Sequence, residues 1–213
     1  MKLLIAIPSY ETMRVEFVQC LMKLTEKLRA EGVPYEVKIL AGTMVHAARD
    51  SLARHAVNSD FTDVLWIDSD MVFEDHLYDD LAMTGKDMVC GLFISRHYPY
   101  LSCLFSKLGD NPERIEEVTE TDTFRVAGCG FGAVLMKTQV LRDVMIGNRG
   151  RCFIPEPMLG EDLAFCQRAA GAGYEIWCEP TARVGHIGSI PIWPEDGPRF
   201  RGEIHGLEGK KLN

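Results

Sequence analysis

The chain has 213 residues, 46% of them hydrophobic and 25% charged, enough for one domain with a sizeable core. Its formal net charge of -8 disfavours broad nucleic-acid binding, because an acidic surface repels phosphate backbones. Seven cysteines (Cys20, Cys90, Cys103, Cys129, Cys152, Cys166 and Cys178) are odd in number and form no CxxC pair, which argues against a disulfide framework or a structural zinc site and for a reducing, cytoplasmic compartment.

The apolar run Leu3–Ile7 is cut off by Pro8, too short for a signal-peptide core, and reads as a buried strand. A helix is expected from about Thr12 to Ala30, with Val15, Val18, Met22, Thr25 and Leu28 as its inner stripe and Gly32 as its stop. Val37–Leu40 reads as a second strand and Met44–Val57 as a second helix capped by Thr43. Val64–Ile67 is a third strand, Glu74–Met83 a short helix and Met88–Ile94 a fourth strand. Strands that alternate with helices imply right-handed βαβ units and a mostly parallel sheet.

Residues 101–127 read as shorter strands around an acidic, solvated excursion that carries Glu113, Glu116, Glu117, Glu120 and Asp122. Val134–Met136 is a further strand, Thr138–Met145 and Asp162–Ala170 are helices, and Glu175–Cys178 is a late strand. The inner face of the last helix is assigned to Leu163, Ala164, Phe165, Cys166, Ala169 and Ala170. Residues 189–213 show no periodicity and read as a tail, lid or interface segment that could pair subunits in a homo-oligomer. No stretch reaches the length of a membrane span.

Five segments carry candidate chemistry. In VLWIDSDMVF, residues 64–73, an apolar strand ends in Asp68 and Asp70, where α/β sheets bind ligands; two carboxylates there suit a hard cation that also grips a diphosphate. The plain alternative is a capped turn. In LGEDLAFC, Glu161 and Asp162 open a helix, either as partners of its dipole or as a general base aimed into a cleft. In RVGHIGS, His186 stands in a glycine-flanked loop; with the carboxylates it favours Mn²⁺ over Mg²⁺. The Gly-rich turn in AGCGFGAVLMK is either a tight turn or a place where a sugar or acceptor approaches backbone. In HAARDSLAR, Arg49 either neutralises a diphosphate or braces the acidic pair.

In order, IPSYE, ARDSLAR, a strand ending in DSD, GLFISR, GCGFGAVLMK, GEDLAFC and VGHIG resemble the GT-A glycosyltransferases, in particular the small family 2-like proteins of bacteria and phages. The resemblance runs from about Lys2 to Gly188. It implies a Rossmann-like GT-A domain over 1–188, with a nucleotide-binding half at 1–100 and an acceptor and catalytic half at 101–188. It also implies the donor-site roles. Asp68-Ser69-Asp70 is then the DXD motif, with Asp70 a metal ligand and Asp68 touching the ribose or, through water, the metal. His186 is a further metal ligand, and Asp162 the catalytic base with Glu161 beside it. Pro8, Tyr10, Glu11, Thr43 and Arg49 lie near the nucleotide. Asp50 departs from the ARN that relatives often carry at this point.

The expected activity is transfer of a sugar from a nucleotide-diphosphate donor, UDP by default, to an acceptor hydroxyl, with Mn²⁺ or Mg²⁺ and with inversion. Two rivals remain: a phosphohydrolase of the haloacid dehalogenase type, with Asp68 as nucleophile, and a non-catalytic nucleotide-sugar binding module. A nucleotide-sugar pyrophosphorylase is set aside because PSYETMR has no glycine where that class carries a Gly-rich basic loop.

Overall fold

A computed structural model describes residues 2–188 together with the backbone of 191–194 and 200–202. In chain order it contains β1 (Leu3–Pro8), α1 (Val15–Ala30), β2 (Tyr35–Leu40), α2 (Val45–Val57), β3 (Asp63–Ile67), β4 (Met71–Val72), α3 (Leu77–Met83), β5 (Met88–Leu92), β6 (Leu104–Lys107), β7 (Glu113–Arg114) and β8 (Phe124–Val126). It continues with β9 (Gly128–Cys129), β10 (Ala133–Lys137), α4 (Thr138–Gly147), α5 (Glu161–Gly171), β11 (Ile176–Arg183), β12 (Gly185–Ile187), β13 (Pro191–Pro194) and β14 (Phe200–Gly202). The rest of 189–213, read above as a tail or lid, lies outside the described residues.

The central sheet has seven strands in the order β2-β1-β3-β10-β5-β11-β8. Strands β1, β2 and β3 run parallel, as do β5 and β11, while β10 is antiparallel to both β3 and β5, and β8 to β11. This is the mixed, mostly parallel α/β architecture that the sequence implied. The sheet draws on both sequence halves, since β10 is inserted between β3 and β5. Two small antiparallel sheets flank it, β14-β13-β12-β4 and β7-β6-β9.

Helices cover both faces, so the central strands are apolar without alternation. All six residues of β1 and all five of β3 are buried. Leu3, Ile5 and Ile7 face Phe17, Leu24 and Leu28 of α1 and Leu77, Tyr78 and Leu81 of α3. Leu4 and Ala6 face the opposite way, into a cluster with Leu52, Ala53 and Ala56 of α2, Val140 and Leu141 of α4, and Phe165 and Cys166 of α5. Within that layer Trp66, Phe131, Phe153 and Phe165 form an aromatic cluster in which Phe153 and Phe165 stack with centroids 4.6 Å apart. All seven cysteines are free thiols.

Several sequence expectations shift. Helix α1 starts at Val15, not Thr12, and its buried stripe is Phe17, Leu24 and Leu28; Val15 and Met22 are 70% and 56% exposed. Two apolar series a fraction of a turn apart run along this helix, and the one carrying the larger Phe17 is buried. The residue before α2 is Met44, with no side-chain cap, so Thr43 is outside the helix and free to line the site. Helix α3 begins at Leu77 rather than Glu74, and β5 ends at Leu92. Leu163 is only half-buried and Ala170 is exposed on α5. Strand β11 continues past Cys178 to Arg183, with a register shift beyond Glu179 that accommodates Pro180, which has no N–H to donate. His186 belongs to a strand, not a loop: it pairs opposite Met71 of β4.

Candidate nucleotide and metal cleft

The cleft lies where α/β sheets carry their ligand sites, beyond the carboxyl ends of β1 and β3. The chain after β1 is held against the chain after β2: Ser9 N–H donates to Leu40 O at 2.9 Å and Gly42 N–H to Tyr10 O at 2.7 Å. Gly42 needs its φ of 76°, which a side chain would resist. These loops and the end of β3 enclose a cleft of about 420 Å³ lined by Pro8, Ser9, Tyr10, Glu11, Thr12, Arg14, Thr43, Val45, Asp68, Ser69, Asp70 and Arg96. Of the residues expected at the nucleotide, Pro8, Tyr10, Glu11, Thr43, Asp68 and Ser69 meet here. Arg49 does not.

Arg49 is 2% exposed and sits behind the cleft wall. Its Nη2 donates to both Asp68 oxygens at 2.8 and 3.0 Å, and its Nη1 to Glu161 Oε1 at 2.8 Å and to Asp162 Oδ1. The guanidinium also stands 5.3 Å from the Phe131 ring. Of the acidic pair it was expected to brace, Arg49 holds Asp68 but not Asp70, and its remaining partners are Glu161 and Asp162.

Asp70 and His186 form the other cluster. Ile187 N–H donates to Asp70 O at 2.7 Å, so the pairing of β12 with β4 brings the histidine beside the carboxylate. His186 Nδ1 lies 3.1 Å from Ile94 O, and a carbonyl only accepts, so Nδ1 carries a proton. Nε2 then faces Asp70 Oδ2 at 3.4 Å. Two donors at this separation fit one cation at about 2.0–2.2 Å from each, the usual range for carboxylate and imidazole ligands. Arg96 Nη1 also pairs with the same Asp70 Oδ2.

Asp68, the third member of the expected metal set, is turned to Arg49 through both oxygens. Among the described residues no group of three or more His, Cys, Asp or Glu side chains is arranged as a metal cage. Of the expected set, only Asp70 and His186 face each other.

Burial sets the carboxyl pKa values apart. Asp162 is pushed up to about 7 by burial, with Asp68 and Glu161 adding repulsion against the pull of Arg49 and the Phe131 N–H. Burial also raises Asp68, aided by Asp70 and opposed by Arg49. For Asp70, burial works in the same direction but is outweighed by His186 and Arg96, and the carboxyl lies below its ordinary value.

The Gly-rich turn proves to be an internal packing device. Phe131 N–H, within it, donates to Asp162 Oδ2 at 3.2 Å. A Cβ on Gly132 would lie 2.6 Å from Met71 Cε and 2.8 Å from Phe93 Cζ, so the close approach the glycine permits is to the protein itself. Asp50, the departure from ARN, faces away from the cleft. It is 2% exposed and accepts Cys152 N–H and Phe153 N–H, each at 2.8 Å, and Arg151 Nε at 3.0 Å. Sequence reasoning gave no role to Arg96, although the GLFISR motif contains it, nor to Arg14. A larger concavity of about 520 Å³, lined in part by Arg125, Tyr174 and Ile176, lies away from these carboxylates.

No protein-family model and no curated protein matches the sequence. Among solved structures, the chain is similar to A197 from STIV, with 18% identity, all of this chain and 99% of that one covered, and a TM-score of 0.61. It is also similar to the inositol-1-phosphate CTP transferase from T. maritima, with 10% identity, 86% and 89% covered, and a TM-score of 0.44. The likeness to A197, end to end, is one of fold.

Proposed function

We propose that the protein is a metal-dependent glycosyltransferase that takes its sugar from a nucleotide-diphosphate donor, UDP by default, and passes it to an acceptor hydroxyl. The observation that carries this reading is the pairing of Asp70 Oδ2 with His186 Nε2 at the rim of a cleft that also gathers Pro8, Tyr10, Glu11, Thr43, Asp68 and Ser69.

In this reading Tyr10, 69% exposed, and Thr43 border the nucleoside. Asp70 and His186 hold a divalent cation, Mn²⁺ or Mg²⁺, which when bound supplies positive charge to the departing diphosphate. The bond between the anomeric carbon and the diphosphate oxygen breaks, with its electron pair leaving on the nucleotide. The acceptor oxygen forms the new bond, and its proton passes to Asp162, whose pKa of about 7 suits a base near neutral pH. A single displacement of this kind inverts the anomeric centre. Arg49 orients Asp162 through its Nη1, a nitrogen that Glu161 also accepts from. The phosphohydrolase alternative takes Asp68 as the nucleophile, and release of phosphate from simple phosphomonoesters would favour it.

The test is calorimetric titration of UDP, GDP and their sugars, with and without Mn²⁺, into wild type and Asp70→Ala. Metal-dependent binding of one nucleotide, abolished in Asp70→Ala, is expected. Folded wild-type protein that binds no nucleotide would overturn the reading.

A further inference from the structure

The loop that follows β5 ends its turn with Ser95 N–H donating to Leu101 O at 2.9 Å, and Ser95 Oγ donates to His97 O at 2.8 Å. This closed turn carries Arg96 into the cleft lining. Its Nη1 pairs with Asp70 Oδ2, the same oxygen that faces His186 Nε2 at 3.4 Å. One oxygen thus has two claimants for a positive partner: the guanidinium and the position between Asp70 and His186. A cation at that position and a guanidinium on the same oxygen repel each other. The Arg96 side chain is 42% exposed, whereas Arg49, behind the wall, is 2% exposed. Arg96 has room to move and Arg49 does not.

We propose that Arg96 is an electrostatic placeholder: it neutralises Asp70 while no metal is present, and swings onto the nucleotide's diphosphate when metal and nucleotide enter together. The inference rests on the donor-site reading above and adds an order to it. Metal alone must displace Arg96 without offering it another anion; metal with a nucleoside diphosphate offers one. Binding of the two is therefore cooperative, and Arg96 is a source of that cooperativity. Its bidentate fork suits phosphate oxygens as well as carboxylate.

The experiment titrates Mn²⁺ alone, followed by electron paramagnetic resonance, and then UDP by calorimetry with and without Mn²⁺, into wild type, Arg96→Gln and Arg96→Lys. Arg96→Gln is expected to bind Mn²⁺ alone roughly tenfold more tightly and UDP with Mn²⁺ roughly tenfold more weakly, the scale of one charged hydrogen bond. Arg96→Lys, which keeps the charge, should stay near wild type for Mn²⁺. Unchanged or weaker Mn²⁺ binding by Arg96→Gln, with metal-dependent UDP binding intact in wild type, overturns the placeholder role alone. Wild type that binds neither Mn²⁺ nor UDP overturns both this role and the donor-site reading.

Discussion

The buried guanidinium of Arg49 pairs with the partly exposed Asp162 across 113 residues of sequence, and it reaches back to Asp68 in the cleft wall. The candidate base and the donor-site carboxylate are therefore held by one side chain, itself fixed in the second helix. A shift in one would be felt by the other.

Asp162 gives the reaction its expected pH dependence. Its carboxyl, raised to about 7 by burial, accepts a proton only when ionised, so kcat/KM should rise with pH and level off above about 7. Asp162→Asn should lose this limb and at least ~10²-fold in turnover while UDP binding persists. Near-normal turnover in that variant would remove Asp162 from the base role. The sign for stability is the opposite. The folded state holds this proton more tightly than the unfolded chain, so the group's contribution falls as pH rises from the ordinary carboxyl range towards 7. Denaturant titrations of wild type against Asp162→Asn across pH 4–8 (a window set by that linkage) should show the slope shrink in the variant.

Removing Arg49 leaves Asp68, Glu161 and Asp162 facing one another without a counter-charge. Arg49→Met is expected to cost about 1–3 kcal/mol of stability, short of the full scale for a wholly buried pair because the three carboxylates left behind are partly exposed. Arg49→Lys keeps the charge but has no planar fork to serve three carboxylates, and should recover only part of it. Urea unfolding followed by circular dichroism measures both; a loss under about 1 kcal/mol in Arg49→Met would match an exposed salt bridge instead.

Asp50 secures the segment that leads towards the fifth helix. Asp50→Ala orphans the Cys152 and Phe153 N–H groups, each worth about 1–3 kcal/mol when buried and unsatisfied. Hydrogen exchange should show these two amides losing protection, while amides of the first strand change far less. Unaltered exchange at residues 152 and 153 would mean that other groups hold the segment.

Gly132→Ala tests the packing of the Gly-rich turn. The new methyl meets Met71 and Phe93, and overpacking of this kind costs about 1–3 kcal/mol. Phe93 packs against His186 with ring centroids 5.9 Å apart, so Mn²⁺ binding should weaken together with the melting temperature. A variant that melts lower but binds Mn²⁺ like wild type would separate the turn from the metal-compatible pair.

The sequence by itself determined the strands and helices of the sheet, because covered strands must be apolar runs and helices must show a stripe. It also marked Asp68 and Asp70, since paired carboxylates at a strand end stand out from a buried run. It misplaced the stripe on the first helix, because Val15/Met22 and Phe17/Leu24 both keep helical spacing and packing alone buries the second. The tertiary structure decided the rest. Arg49 and Asp50 are neighbours on one helix with like exposure, yet one braces the carboxylates and the other pins a distant loop; nothing in the spacing tells them apart. His186 reaches Asp70 only because the short strand at 185–187 pairs with the one at 71–72, a contact between segments more than 100 residues apart. Local sequence encodes local periodicity, whereas partners for charges are set by where the folded sheet brings distant segments together.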